Sequence, residues 1–194
     1  PEAGEKTASI LNTLHTARQN RPRPPRDGKI LTDWNGLMIA ALAQASLVFR
    51  NPAWYHAAAG AMHFILLRLQ GPEGRLLHRW YDGEAAVPAF ADDYASVILG
   101  LIGLYAAGFE PAWLGEAVLL NDILTGHFSD PDTGGFFTIP DDGEPLIARK
   151  MEIYDGAIPS ANSLMLRNLV LLGHLTGNPV HEERASCLAD AFAG

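Results

Sequence analysis

Three short clusters carry the side chains of this chain that could do chemistry: Asp33-Trp34-Asn35, Asp92-Asp93-Tyr94 and Ser160-Ala161-Asn162. Each opens a nearly continuous apolar run. Asp33, Asp92 and Ser160 are preferred helix N-cap types, and capping is the plain use for them. Facing a cavity, the same carboxylates could act as general acid or base or grip hydroxyl groups. Asp93 stands one position past the expected cap, so it reads as a first-turn acid favoured by the helix dipole or as a cavity carboxylate. Trp34 and Tyr94 are either core or, beside carboxylates, a stacking platform for a sugar ring. Asn35 and Asn162 add amides at the same level. The connecting segments add more. His78 and Arg79 lie in Leu77-His78-Arg79-Trp80-Tyr81-Asp82-Gly83, where a strand puts His78 and Trp80 on one face and Arg79 and Tyr81 on the other. Arg149, Lys150, Glu152, Tyr154 and Asp155 precede the third cluster, and Asp155-Gly156 leads directly into Ile158-Pro159-Ser160. Exposed loop charge is the ordinary alternative for most of these.

The elements that must position these residues follow from one spacing. Asp33 precedes Pro52, Asp92 precedes Pro111, and Ser160 precedes Pro179, each by 19 positions. Each proline suits the first turn of a second helix, where its fixed φ and missing N–H do no harm. The chain therefore reads as an all-α array of repeated helical hairpins whose inner-helix N-termini gather at one rim. Inner helices are expected over 34–49, 93–108 and 160–176, with outer partners over 52–69, 112–126 and 180–193. The run Leu37-Met38-Ile39-Ala40-Ala41-Leu42-Ala43 is apolar all round and predicts a helix buried on most faces. A further helix over 5–18 carries Ile10, Leu11, Leu14 and Ala17 on one side. Asp27-Gly28, Asp82-Gly83 and Asp142-Gly143 are turn dipeptides, and 76–81 and 135–139 read as short strands in β-hairpin links.

Composition narrows the function classes. The chain has 194 residues and 48% hydrophobic content, enough for one sizeable core. A net charge of −8 argues against nucleic acid as a partner, despite a local basic stretch of Arg18, Arg21, Arg23, Arg26 and Lys29. No apolar run is long enough to span a bilayer, and a single cysteine, Cys187, fits a reducing, cytoplasmic setting. Cys187 lies in an amphipathic helix and is expected to be a buried, inert thiol. The first residue is not Met, which points to a piece of a longer chain. His15, His56, His63, His127, His174 and His181 show no metal-ligand spacing, and phosphate-loop, dinucleotide, zincin and nucleophile-elbow signatures are absent. No metal site and no cofactor are expected.

Three stretches together resemble a known family: Asp27-Gly28-Lys29-Ile30-Leu31-Thr32-Asp33-Trp34-Asn35-Gly36-Leu37-Met38, Phe90-Ala91-Asp92-Asp93-Tyr94-Ala95, and Tyr154-Asp155-Gly156-Ala157-Ile158-Pro159-Ser160-Ala161-Asn162-Ser163. They look like the helical portion of the YyaL/spermatogenesis-associated protein 20 family. That resemblance implies an N-terminal thioredoxin-like domain, absent from this chain, followed by an (α/α)6 toroid similar to N-acylglucosamine 2-epimerases and six-hairpin glycosidases. Residues 1–194 would form about half of such a toroid, without its last hairpins. Gly28 stands where the family has a second Asp, and Ala161 where it has Gly.

Two functional expectations follow. One is a carbohydrate site at the rim. Asp93, Asp33 and Asp155 would be its catalytic carboxylates, and Trp34, Asn35, Tyr94, His78, Arg79, Arg149, Ser160 and Asn162 would bind a small sugar-like ligand. Epimerisation, commonly a histidine reaction, would have only His78 well placed. The other is a non-catalytic helical scaffold for the attached thioredoxin-like domain. Asp93, Asn35 and Asn162 pointing into one cavity would favour the first; pointing into caps would favour the second. An incomplete toroid also predicts self-association through exposed inner faces.

Overall fold

In the computed structural model of the chain, residues 2–71, 73–145 and 147–193 are described. The first helix, α1 (Glu2–Gln19), is exposed from Gly4 onward, and its Ile10, Leu11 and Leu14 face solvent. Three hairpins follow: α2 (Thr32–Val48) with α3 (Pro52–Arg68), α4 (Ala91–Gly108) with α5 (Pro111–Phe128), and α6 (Ala161–Thr176) with α7 (Pro179–Ala191). All three expected prolines sit at the start of an outer helix. Asn51 and Asn178 cap two of those helices by accepting from Ala53 and Val180 N–H.

The inner helices pack in the order α2, α4, α6, with α4 in the middle. That placement decides which helix is buried. α4 is apolar and enclosed from Tyr94 to Ile102. α2 is also largely apolar but is buried only at Thr32 and Asp33 and along Gly36, Ile39, Ala43 and Ser46. Met38 is 58% exposed. The expectation of burial on most faces fails because α2 has an inner neighbour on one side only among the described residues.

Glycine sets how closely α2 and α4 approach. A Cβ built on Gly36 would stand 2.5 Å from the Ser96 carbonyl carbon, and one on Gly100 would stand 3.0 Å from the Gly36 oxygen. Without those side chains the two backbones meet, and Ala40 and Ala43 continue the contact against Gly103. Asn168 ties α6 to the same helix by donating through Nδ2 to the Ala95 carbonyl at 2.8 Å.

The link after the first hairpin is a β-hairpin, as its turn dipeptide predicts. β2 (Leu77–Tyr81) and β3 (Glu84–Pro88) pair antiparallel across Asp82-Gly83, both at positive φ, the geometry of a primed turn. β1 (Ile30–Leu31) adds on the other side of β2, giving the order β1-β2-β3. Asp27-Gly28 forms no hairpin; Asp27 instead pairs with Lys29. The stretch 135–139 makes only isolated bridges, Ser129 with Phe136 and Phe137 with Met151. Cys187 is exposed, not buried, because α7 turns His181, Ala185 and Leu188 inward instead; its Cβ stands beside Gly134. Among the described residues no helix is long and apolar enough to cross a membrane.

Candidate functional site at the helix rim

Helix starts differ from the sequence expectation by a register that matters for chemistry. α2 begins at Thr32 and α4 at Ala91, so their N-caps are Leu31 and Phe90, and Asp33 and Asp92 lie one turn-position inside. Neither is a cap. Asp93, at the third helical position, accepts from the Phe90 N–H at 2.8 Å, which is the back-bonding half of a capping box. Ser160 is the N-cap of α6, accepting from Ser163 N–H at 3.2 Å.

Asp93 is the hub of the rim. Its side chain is 1% exposed. Besides Phe90 it accepts from the Asp33 N–H at 3.0 Å, which staples α2 to α4. His78 Nδ1 lies 3.0 Å from both of its oxygens. The β-hairpin delivers His78 to this point. Thr32 Oγ1 donates to the Leu77 carbonyl at 2.6 Å, fixing β2 against the start of α2, and the His78 ring meets Phe90 edge-on at 5.2 Å. The hydrogen bond to Asp93 raises the His78 pKa above its ordinary value, against burial. Burial pushes the Asp93 carboxyl up, opposed by His78 and the Phe90 N–H. With a backbone N–H already on each Asp93 oxygen and His78 Nδ1 facing both, the arrangement suits an ionised carboxylate, so we assign the shared proton to His78 Nδ1.

A cavity of about 180 Å³ opens beside this hub. Asp33, His78, Asp92, Asp93 and Ser160 line it with Glu152, Tyr154, Phe90 and the Ile158-Pro159 turn. Asp92 is the residue that sequence reasoning passed over as a cap. Burial raises its pKa, Ala161 and its own N–H oppose this, and the negative charges of Asp33 and Glu152 reinforce it. The signal was present, since Asp92 shares Asp33's place in the 19-residue spacing. Asp33, His78 and Asp93 also bring three potential metal-ligand atoms within 4.8 Å of one another. Their present hydrogen bonds account for that closeness.

The remaining candidates stand elsewhere. Asn35 Nδ2 donates to the Leu31 carbonyl at 2.7 Å. Asn162 bridges Phe136 N–H and the Phe136 and Glu152 carbonyls, holding the third loop to α6. Tyr94 is 1% exposed in the core, its hydroxyl accepting from Leu76 N–H and its ring 5.4 Å from Phe128. Trp34 is 60% exposed and outside the cavity lining. Arg149 donates to the His127 and Ile139 carbonyls and stacks on Phe137. Arg79 stays within the sheet, opposite Ala86. Asp155 is exposed and accepts from Ser160 N–H at 2.9 Å, a bond that lowers its pKa and braces the α6 cap. Thus Asp33, Asp93, His78 and Ser160 meet at one cavity, while Trp34, Asn35, Tyr94, Arg79, Arg149, Asn162 and Asp155 do not line it.

The chain is 35% identical over 195 residues to spermatogenesis-associated protein 20 of Homo sapiens and 36% identical over 203 residues to that of Rattus norvegicus. This chain is a homologue of spermatogenesis-associated protein 20. The matches take in 95% and 97% of the chain but only 25% and 26% of those proteins, so it spans about a quarter of the length of these curated relatives. No family model matches. Solved structures show the fold. D-mannose isomerase superposes with a TM-score of 0.68 at 22% identity, over 84% of this chain and 40% of that one. Cellobiose 2-epimerase from Bacillus thermoamylovorans gives 0.71 at 16%, over 88% and 46%. An inactive α-1,6-mannanase variant from Salegentibacter, in complex with α-1,6-mannotriose, gives 0.68 at 14%, over 98% and 53%. The three hairpins are about half of an (α/α)6 toroid.

Proposed function

We propose that the rim cavity binds a small sugar-like ligand and that the chain is a carbohydrate-processing half-toroid. One observation carries the reading: the N-termini of three successive inner helices and one β-hairpin bring Asp33, His78, Asp92 and Ser160 around a single cavity. A volume of about 180 Å³ lies below the range for drug-sized ligands and suits one small ring. The structural neighbours are named for sugar isomerisation, epimerisation and mannan hydrolysis. The mannanase variant is inactivated by Asp-to-Asn changes at two adjacent positions. This chain carries its own adjacent pair, Asp92-Asp93, at the rim.

The scaffold alternative has its own support. Asp93, Asn35 and Asn162, the three side chains whose direction was to discriminate, all end in backbone hydrogen bonds. In that reading the rim acids hold helices and loops together for an attached thioredoxin-like domain in a longer, cytoplasmic protein. Asn35 and Asn162 lie outside the cavity lining, and Asp93, which lines it, is taken up by its own hydrogen bonds, so the sugar reading rests on Asp33, His78, Asp92 and Ser160. A thermal-shift screen against neutral sugars, amino sugars and uronic acids separates the two. A ligand that binds only the folded chain raises the melting temperature, by the equivalent of about 2.7 kcal/mol at a hundred times Kd. The sugar reading predicts a hit that Asp92→Ala removes; a panel with no shift leaves the scaffold.

A further inference from the structure

We infer that the rim cavity selects a sugar bearing a free ammonium group, held between the carboxylates of Asp33 and Asp92. The inference rests on the sugar reading above and narrows its ligand from sugars at large to unacylated amino sugars.

Four carboxylates line the cavity, those of Asp33, Asp92, Asp93 and Glu152, and no lysine or arginine lines it with them. Two of the four already have a positive partner. Asp93 is taken up by His78 and by the N–H groups of Asp33 and Phe90. Glu152 meets Lys150, whose side chain is 73% exposed and outside the lining, and accepts from the N–H groups of Ile153 and Tyr154. Asp33 and Asp92 make no ion pair among the described residues. Asp33 is only 7% exposed. Its Oδ1 accepts from the Trp34 N–H at 2.7 Å, and its Oδ2 has no hydrogen-bond partner among the described residues. Asp92 faces the Ala161 N–H and feels the negative charges of Asp33 and Glu152, which together with burial hold its carboxyl above the ordinary range.

A buried carboxylate without a counter-charge is costly, and two beside one small cavity repel each other. A ligand cation relieves both. An ammonium group also brings three donors to a place where the free protein groups are acceptors, and such charge-assisted bonds are stronger than neutral ones. Phe90 and Tyr154 add to the lining aromatic rings of the kind that attract cations through their π electrons. A neutral hydroxyl offers one donor and no charge. An acetylated amine offers one donor, no charge and a bulkier group to fit within about 180 Å³. A uronate or a sugar phosphate adds negative charge where the one basic group, His78, is already held by Asp93. The order of preference is therefore ammonium, then hydroxyl, then carboxylate.

The test is calorimetric titration of the chain with D-glucosamine, D-glucose, N-acetyl-D-glucosamine and D-glucuronate, under conditions where the amine is charged. D-glucosamine is expected to bind at least about tenfold more tightly than D-glucose, with no binding of D-glucuronate. Added salt should narrow the gap between the first two, because screening weakens only the charged contact. This comparison needs no variant. A net charge of −8 attracts cations over the whole surface, so substitution locates the effect. Asp92→Asn and Asp33→Asn keep the shape and remove the charge, and each should bring the ratio of glucosamine to glucose affinity toward one. If Asp33→Asn does not fold, Asp92→Asn decides. Glucose or glucuronate binding as tightly as glucosamine, or a preference for glucosamine that survives Asp92→Asn, overturns the inference while the sugar reading stands. No binding by any of the four overturns both.

Discussion

His78 and Asp93 show how a buried pair links stability to pH. His78 has a folded-state pKa above its ordinary value of 6.5. A group of this sign contributes stability that is fully present below the unfolded-state value and is lost as pH rises through the folded one. Burial raises the Asp93 carboxyl as well, but that contribution begins to be lost above about 3.8, in a window that opens below the histidine one. The unfolding free energy of the wild-type chain should therefore fall as pH rises from about 6.5. In His78→Gln this dependence should flatten, and urea unfolding at a series of pH values reads the difference. Asp93→Asn should cost about 1–3 kcal/mol, because an amide cannot accept from Phe90, Asp33 and His78 together. A urea midpoint unchanged by that substitution would contradict the hub. None of this was legible in the sequence. The Asp92-Asp93 pair announced acids at a helix start, but the two-residue-earlier start of α4 is what puts Asp93 at its third position, in the hydrogen-bonded hub, and Asp92 in the cavity lining.

At the scale of elements, the spacing of N-terminal residue to proline predicted every hairpin, because apolar periodicity and proline chemistry act within a helix and its neighbour. What it could not show was which inner helix is central. α2 and α4 are both largely apolar, and their burial differs chiefly through who stands beside them. The links were legible where a turn dipeptide closed paired strands, as at Asp82-Gly83. They were illegible at 135–139, where side chains such as Asn162 and Arg149 do the holding that a ladder would otherwise do. The close α2–α4 seam gives a sharp test. Gly36→Ala places a methyl group against the Ser96 backbone and should destabilise by about 1–3 kcal/mol. Gly60→Ala, on the exposed side of α3 with nothing near its Cβ, should stabilise by about 0.5–1 kcal/mol. Equal effects of the two in chemical denaturation would show that the helices do not meet at Gly36.

At the scale of the whole molecule, large apolar side chains stay exposed along α1 and on the α2 side. Met38, Leu47, Val48 and Phe49 on the α2 side and Ile10, Leu11 and Leu14 on α1 are all more than half exposed. Contiguous apolar surface of that kind drives association. The chain should sediment and scatter light as an oligomer whose population rises with concentration, and a strict monomer at high concentration would contradict this. None of these seven residues lines the rim cavity. That site is assembled from α2, β2, α4 and the segment before α6, all within the half-toroid.

The measurement that bears most directly on the account is a titration of the chain, labelled with nitrogen-15 in its histidines, with the best sugar from the thermal-shift panel. Imidazole spectra report each ring's protonation and contacts. The account predicts that the His78 signal, assigned by its loss in His78→Gln, shifts and saturates with the sugar while those of His15, His56 and His174 stay in place. A saturable thermal shift with His78 unmoved would put the ligand elsewhere and contradict the rim site.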